Sequence, residues 1–243
     1  RSLSNFSVYF AMRLGLVRNS EAILKFRNGV RYVIHAGTSE PSMVEEIWHR
    51  KIYDRLLSFI HDNSTVIDIG GNIGIFSVKA ALSGKNVRVF VYEPIPVNVA
   101  MLRQNVALNH VENRVKINQL AVSGKQGSFD VYYEDRNTGS GSFYAHHDID
   151  TKSIKVHGVT LADIFHDEKI DTCDFLKMDC EGAEEEILFN TPDDVIQKIR
   201  SMTIEWHNSL SKLGFQNFKS FLEKAGYEVN FDARTSTLYA WRS

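Results

Sequence analysis

The sequence predicts an α/β fold with a mostly parallel, seven-stranded central sheet, arranged as a single domain of 243 residues. Three observations support this prediction. From residue 65 onward, apolar runs of strand length alternate with helical repeats, a pattern typical of parallel strands covered by helices on both faces. The chain closes with two short runs, residues 227–233 and 236–242, that are near enough in sequence to form an antiparallel hairpin. The composition is 43% hydrophobic and 24% charged, as in ordinary globular domains.

Residues 1–61 are expected to form a cap that belongs to the same domain. Two alternating runs surround Asn28-Gly29, a dipeptide that favours the tight turn of a β-hairpin. Further along, Ser42 and Glu45 have the spacing of a helix capping box, and apolar residues then recur at helical spacing. The cap is therefore predicted to be a hairpin followed by one helix.

The core, residues 62–243, is predicted from the alternation of strands and helices. The strands expected in the parallel part of the sheet are residues 65–70, 87–93, 115–122, 173–179 and 201–206. The helices expected between and after them are residues 74–83, 96–109, 161–165, 184–190, 192–199 and 215–225.

Residues 127–159 interrupt this alternation with two polar strands joined by a long loop rich in Gly, Ser, Asp and His. Long loops inside compact domains are usually functional or mobile. We interpret residues 137–144 as a lid over an acceptor, because its glycines permit closure and Phe143 and Tyr144 offer ring faces to a sugar. Four further polar residues of the loop are expected in solvent rather than on a metal: His146, His147, Asp148 and Asp150.

The charge balance disfavours several classes of partner. Lys and Arg total 28 and Asp and Glu total 30, a net charge of -2, so no overall positive field favours nucleic acid or an anionic membrane. The apolar segment at residues 6–17 is too short to cross a bilayer. Cys173 and Cys180 lie on one predicted strand, too far apart to form a disulfide. We therefore expect a cytoplasmic protein with neither nucleic-acid nor membrane partners, and leave its oligomeric state open.

A glycine-rich turn, DIGGNIG at residues 68–74, follows the first core strand and opens the next helix. Such a turn lets the backbone approach a ligand closely. Asn72 stands where the dinucleotide-binding motif has its second glycine, which disfavours NAD. Glu93 ends the next strand, where an acid can accept hydrogen bonds from both hydroxyls of a ribose. This order of motifs resembles class I S-adenosylmethionine methyltransferases, which often place an Asp against adenine at the end of the third strand. Here that strand ends without a carboxylate, so the resemblance implies that adenine would be bound by backbone groups and apolar packing at residues 120–122.

The most informative segment is DFLKMDCEGAEEE at residues 174–186. Strand alternation places Asp179 and Glu181 on one side, where like charges repel unless they share a proton, a cation or a substrate hydroxyl. Glu205 and His207 end the neighbouring strand with the same spacing and should face the same cleft. These side chains suit general-base chemistry. Asp179, Glu205 and His207 could instead hold a divalent cation, an alternative that we do not favour here.

These motifs resemble those of a methyltransferase superfamily and, more closely, those of one family within it. The glycine turn and Glu93 resemble the first two motifs of class I S-adenosylmethionine methyltransferases, and DFLKMDCEGAEEEIL closely resembles the signature of the FkbM family of methyltransferases. The segment EPIPVN at residues 93–98, with Leu102 and Asn105 after it, extends the FkbM resemblance. The resemblance implies a Rossmann-like class I methyltransferase fold, S-adenosylmethionine as cofactor, and methyl transfer to a hydroxyl oxygen. Its acceptor would be a sugar, a glycan or a polyketide-like small molecule.

The resemblance also implies roles for individual residues. The cofactor would lie over the ends of the first two core strands, with its methyl group toward Asp179. Glu181 or His207 would act as the base, and Glu205 would orient the imidazole. The residues expected to bind the cofactor are Asp68, Gly70, Gly71, Asn72, Gly74, Glu93, Pro94, Leu120, Ala121, Val122 and Asp179.

Three alternatives stay open at this point. The chain could be a non-catalytic module that binds S-adenosylmethionine or adenosine. It could be a methyltransferase whose acceptor is an amine or RNA, of which RNA is disfavoured by the charge. It could also be an NAD-linked reductase, which Asn72 disfavours.

Overall fold

The computed structural model describes residues 3–17, 20–134, 137–142, 151–207, 211 and 214–242. Its strands are β1 (Glu21–Lys25), β2 (Arg31–His35), β3 (Thr65–Ile69), β4 (Arg88–Tyr92), β5 (Val115–Asn118), β6 (Ala121–Val122), β7 (Gly127–Glu134), β8 (Asn137–Ser142), β9 (Thr151–Val159), β10 (Phe175–Met178), β11 (Ser201–Glu205), β12 (Glu228–Asp232) and β13 (Thr237–Trp241). Its α-helices are α1 (Phe6–Arg13), α2 (Glu40–Glu45), α3 (Ile75–Ala81), α4 (Pro96–Leu108), α5 (Leu161–Asp167), α6 (Glu184–Phe189), α7 (Asp193–Ile196) and α8 (Phe215–Lys224).

The central sheet has seven strands in the order β12-β13-β11-β10-β3-β4-β5. The strands from β11 to β5 pair in parallel. β13 runs antiparallel to both of its neighbours, β11 and β12. The predicted α/β fold, with its mostly parallel sheet and C-terminal antiparallel hairpin, is confirmed.

Both faces of the parallel strands are covered, which explains why their sequences are continuous apolar runs. All five residues of β3 are buried. Val66 belongs to one apolar cluster, with side chains from α3 and α4. Its neighbour Ile67 belongs to a second cluster, with side chains from α5 to α8, because successive strand residues point to opposite faces.

The strand order changes direction between β3 and β10. From β3 the chain builds outward to β4 and β5, and it later returns to add β10 and β11 on the other side. In open α/β sheets, the crevice at the carboxyl ends of the strands beside such a reversal is where ligands bind. The ends of β3 and β10 therefore mark the place to examine for a site.

The N-terminal hairpin is confirmed, since β1 and β2 pair antiparallel, but the single helix predicted after it is wrong. α2 begins at Glu40, before the predicted cap at Ser42. It continues as a π-helix, Glu46–Arg50, and ends at Lys51, whose φ of 57° is left-handed. A separate 3-10 helix, Asp54–Phe59, then follows.

The break in this helix is held by a contact from the core. Lys79 lies on α3 and is buried. Its Nζ donates a hydrogen bond of 2.9 Å to the carbonyl of Ile47 and another to the carboxylate of Asp54. Because a buried ammonium group needs such partners, the chain turns around Lys79 rather than continuing as one helix.

The predicted strand at residues 115–122 is also corrected, since β5 ends at Asn118 and β6 leaves the central sheet. β6 pairs instead with β9 in a second sheet of four strands, ordered β6-β9-β7-β8. The insertion therefore contains β8 in addition to the two predicted strands, and β8 occupies most of the predicted lid loop.

Some predictions fall on residues 143–150, which lie outside the described residues. These are the ring contacts of Phe143 and Tyr144 and the solvent positions of His146, His147, Asp148 and Asp150. None of the helices that the structure describes could span a lipid bilayer.

Candidate active site

A buried ion pair underlies the glycine turn. Asp68 on β3 and Lys177 on β10 are register partners, and Lys177 Nζ lies 3.2 Å from Asp68 Oδ1. Ser77 donates a hydrogen bond of 2.5 Å to Asp68 Oδ2, and Lys177 donates one of 2.6 Å to the carbonyl of Gly70. Burial lowers the pKa of Lys177, but the charges of Asp68 and Asp179 outweigh it and raise that pKa. Asp68 is fully buried. It contacts the turn through Lys177, which binds both the Asp68 carboxylate and the carbonyl of Gly70.

The glycines of the turn are explained first by packing inside the protein. A Cβ at Gly70 would lie 1.8 Å from the carbonyl oxygen of Asp179, and its φ of +76° is left-handed. A Cβ at Gly71 would lie 2.1 Å from Val91 Cγ1. These glycines are predicted to let a ligand approach closely, and the structure adds a packing role. Gly70 lets the turn lie against Asp179 at the end of β10, and Gly71 lets it lie against Val91 of β4.

Glu93 ties the end of β4 to the glycine turn. Its Oε2 accepts a hydrogen bond of 2.8 Å from the backbone N–H of Asn72. Its Oε1 accepts bonds of 3.0 Å from the N–H of Ile95 and 3.1 Å from the side-chain amide of Asn98. Burial raises the pKa of Glu93 to about 7, although these donors act in the opposite direction. The Glu93 carboxylate, which the sequence predicts to bind a ribose, is thus buried and held in a fixed orientation by these hydrogen bonds.

Of the residues expected beside adenine, Ala121 lies close to the chain that follows this acid. Ala121 packs in a small apolar cluster with Ile95, which follows Glu93 and Pro94 in the chain, and with Val131 of the second sheet. Val122 is buried as well. The second sheet therefore contacts the chain just beyond the end of β4.

A cavity of about 230 Å³ opens at the carboxyl ends of β3 and β10. The glycine turn supplies one wall, and the cap supplies another. The strand ends contribute the side chains of Lys177, Asp179, Glu181 and Glu205. From the cap come Ser39, Ser42, Met43, Glu46, Ile47, Ile52 and Tyr53. The predicted convergence of three acids on one cleft therefore agrees with the geometry.

Two glutamates hold the imidazole of His207. Its Nε2 lies 3.2 Å from Glu181 Oε2, and its Nδ1 lies 3.2 Å from Glu184 Oε1. Burial lowers the pKa of His207, but the Glu184 hydrogen bond and the surrounding carboxylates outweigh it and raise that pKa to about 10. Glu205 was expected to orient this ring, and the structure gives that contact to Glu184 and Glu181 instead.

Glu184 is a site residue that the sequence reasoning missed. Its carboxylate accepts hydrogen bonds from the backbone N–H groups of Cys180 and Gly182, at 3.0 and 2.9 Å, in addition to its contact with His207. Glu184, Glu185 and Glu186 all lie in the first turn of α6, where negative charges are stabilised by the helix dipole. Because this explanation covers all three glutamates, the separate contact of Glu184 with His207 was not predicted. The spacing C-E-G-A-E could have indicated this role, because a glutamate four residues after Cys180 can reach back to the end of the strand.

Neighbouring carboxylates contribute to a raised pKa at Glu205 and at Glu181. The charge of Asp179, followed by burial, raises the pKa of Glu205 to about 8. Burial, with Asp179 and Glu184 adding to it, raises the pKa of Glu181 to about 7, while His207 opposes the shift. Such a cleft favours ligands that bring a proton or positive charge.

Tyr53 is a second residue that the sequence reasoning missed. It is buried, and its hydroxyl donates a hydrogen bond of 3.4 Å to Asp179 Oδ2. Lys177 Nζ lies 3.6 Å from the same oxygen. Burial raises the pKa of Tyr53 well above its ordinary value, so the phenol stays protonated and can donate. The apolar pattern of residues 44–59 concealed this contact, because it reads as one continuous helix.

Comparisons with known proteins add to this geometry. Residues 68–229 match the family model described as the methyltransferase FkbM domain. The 31-O-demethyl-FK506 methyltransferase FkbM of Streptomyces tacrolimicus is 28% identical over 220 residues, which cover 79% of this chain and 84% of that protein. The methyltransferase sdnD of Sordaria araneosa is 25% identical over 218 residues, covering 77% and 82%.

One solved structure is also similar. The methyltransferase FkbM from Methylobacillus flagellatus KT superposes with a TM-score of 0.51 at 16% identity. The superposition covers 74% of this chain and 44% of that chain. At this identity the likeness concerns the fold alone.

Proposed function

Since the chain belongs to the FkbM family of methyltransferases, we propose that it transfers a methyl group from S-adenosylmethionine to a hydroxyl oxygen. The acceptor would be a sugar, a glycan or a polyketide-like small molecule. One observation carries the proposal: the glycine turn and the acids of β10 and β11 line the same cavity. A cofactor on the turn would therefore lie beside side chains that can bind a hydroxyl and take its proton.

The residues present fit this cofactor. The cofactor supplies a methyl group on a positively charged sulfonium. Glu93 already accepts three hydrogen bonds, and an ionised carboxylate has about four acceptor positions, so an acceptor position is left for a ribose hydroxyl. The carboxylates of Asp179 and Glu181 suit a cationic ligand. Asn72 and the glycines of residues 70–74 would line the cofactor, with Leu120 to Val122 on its adenine side.

We assign the proton transfer to Glu181. Glu181 lines the cavity, and His207 beside it can offset the negative charge. Asp179, held by Tyr53 and Lys177, would orient the acceptor hydroxyl. Glu181 would take the proton of the acceptor hydroxyl as its oxygen bonds the methyl carbon. The cofactor would supply that methyl group by cleavage of its S–CH3 bond and leave as S-adenosylhomocysteine. Because such a displacement needs an in-line approach, positioning supplies much of the rate.

The relatives support a hydroxyl acceptor. The Streptomyces tacrolimicus protein is named as a methyltransferase of 31-O-demethyl-FK506, that is, for methylation at an oxygen. Its match extends over most of both chains.

The experiment that tests the proposal combines binding and product analysis. Calorimetry should show binding of S-adenosylhomocysteine, with NAD as the negative comparison. Incubation with S-adenosylmethionine and a panel of sugars, glycans and polyketide-like alcohols should give a mass increase of one methyl group on oxygen. Transfer to amines or RNA alone, or tight cofactor binding without any methylated product across the panel, would count against the proposal.

A further inference from the structure

Three side chains of the cleft form a mixed set of metal donors. Asp179, Glu205 and His207 each offer one ligand atom, and these atoms all lie within 4.8 Å of one another. They come from the ends of β10 and β11, adjacent parallel strands. One imidazole with two carboxylates is a ligand set suited to a divalent ion such as Mn2+ or Zn2+.

The imidazole is held as metal-binding histidines are held. Such a histidine usually gives its other ring nitrogen to a carboxylate, which fixes the ring and increases its basicity. Here Glu184, outside the donor set, lies 3.2 Å from His207 Nδ1. Glu184 is itself fixed by the backbone N–H groups of Cys180 and Gly182. This arrangement leaves Nε2 on the side of the cleft, where it now pairs with Glu181.

The carboxylate of Glu205 is the least satisfied member of the set. Among the described residues, none gives it a hydrogen bond, although it is only partly exposed. Lys177 is the one ammonium or guanidinium group among the described cavity residues, and it is already engaged by Asp68 and the carbonyl of Gly70. Lys177 also lies 3.6 Å from Asp179 Oδ2, and His207 pairs with Glu181. Among the described residues, Glu205 is therefore the cleft acid without an ion pair.

We propose that Asp179, Glu205 and His207 bind one divalent cation at the edge of the cavity. When the cation binds, Glu181 would release His207 Nε2 and turn toward the acceptor, whose proton it takes in the proposed methyl transfer. The cation would take the acceptor hydroxyl as a ligand and lower its pKa, a role that rests on the proposed methyl transfer. Cation binding itself does not depend on that reaction.

The test is a titration of the full chain with MnCl2, followed by the loss of the electron paramagnetic resonance signal of free Mn2+. We expect one site per chain. The variants Glu205→Gln and His207→Gln should each weaken binding by at least about 100-fold, and Glu184→Gln, which acts through the imidazole, by about 10- to 100-fold. Glu186→Gln, on the same helix as Glu184 but outside the donor set, should bind as wild type does.

Binding of S-adenosylhomocysteine in EDTA shows whether each variant is folded and judges the proposed function separately. The metal proposal is overturned if wild type binds no Mn2+ at millimolar concentration, or if Glu205→Gln and His207→Gln bind it normally. It is also overturned if S-adenosylhomocysteine expels the Mn2+, because cofactor and cation would then compete for the same acids. If Mn2+ binds as expected and S-adenosylhomocysteine does not, the proposed function fails and the metal site stands.

Discussion

At the residue scale, Asp68, which is expected to bind the cofactor, is buried and paired with Lys177. The sequence places both charges inside apolar strands, and the parallel register puts them side by side. Their position near the carboxyl ends of their strands was predictable from the strand pattern. Their mutual contact was not, because the register depends on distant packing.

Removing one partner of this pair should destabilise the protein. Lys177→Met leaves Asp68 buried without its cation and should lower the free energy of unfolding by about 3–5 kcal/mol. Lys198→Met is the control, since Lys198 pairs with Asp194 on the surface, where a pair contributes about 0–1 kcal/mol. Urea unfolding measures the free energy of unfolding of each variant. Equal, small losses in the two variants would show that the buried pair does not hold the turn.

Glu93 should make cofactor binding depend on pH. Its pKa in the folded protein is raised to about 7 by burial, so the carboxylate gains a proton as the pH falls through 7. The protonated form is a poorer acceptor for ribose hydroxyls, and the affinity for S-adenosylhomocysteine should fall by up to about tenfold per pH unit below 7. Calorimetry across this range should show the decline in wild type and a flat profile in Glu93→Gln. Parallel pH profiles of the two proteins would exclude Glu93 as the cause.

At the scale of elements, burial decided which predictions succeeded. The strands of the central sheet were predictable because β3, β4, β10 and β11 are apolar runs bounded by clear turns. The break after β5 was not, because residues 115–122 have one continuous strand pattern. The partner that draws β6 away is Gly158–Val159 of β9, which is remote in sequence.

The cap shows the same limit of local patterns. Residues 44–59 have the periodicity of one helix, but Lys79 holds the carbonyl of Ile47 and the carboxylate of Asp54. This long-range contact produces the turn that carries Tyr53 into the site. The candidate site could therefore be predicted at the strand ends, and its wall from the cap could not.

Tyr53→Phe should test the contribution of the cap to turnover. The change removes the hydroxyl that donates to Asp179, a hydrogen bond to a charged group worth about 1.5–3 kcal/mol. We expect turnover to fall by about tenfold or more, with the affinity for S-adenosylhomocysteine almost unchanged. Tyr32→Phe is a matched control, because Tyr32 is also buried and donates to the carbonyl of Ile75 away from the acids. Equal turnover in both variants would remove Tyr53 from the site.

At the scale of the whole molecule, distant parts of the chain build one cavity. Its walls come from the cap, the turn after β3 and the ends of β10 and β11. The net charge of -2 conceals this local concentration of Asp179, Glu181 and Glu205. The order of the strands explains the convergence, because parallel strands beside a reversal present their carboxyl ends to one crevice.

The central claim is methyl transfer to a hydroxyl oxygen, with Glu181 taking the proton. Its most direct test is a single-turnover measurement with methyl-labelled S-adenosylmethionine and an acceptor from the panel, comparing wild type with Glu181→Gln. We predict one labelled methyl group on an acceptor oxygen in wild type. In Glu181→Gln the rate should be about 10²- to 10⁴-fold lower, with S-adenosylhomocysteine binding retained. A label on nitrogen, or a wild-type rate in Glu181→Gln, would contradict the account.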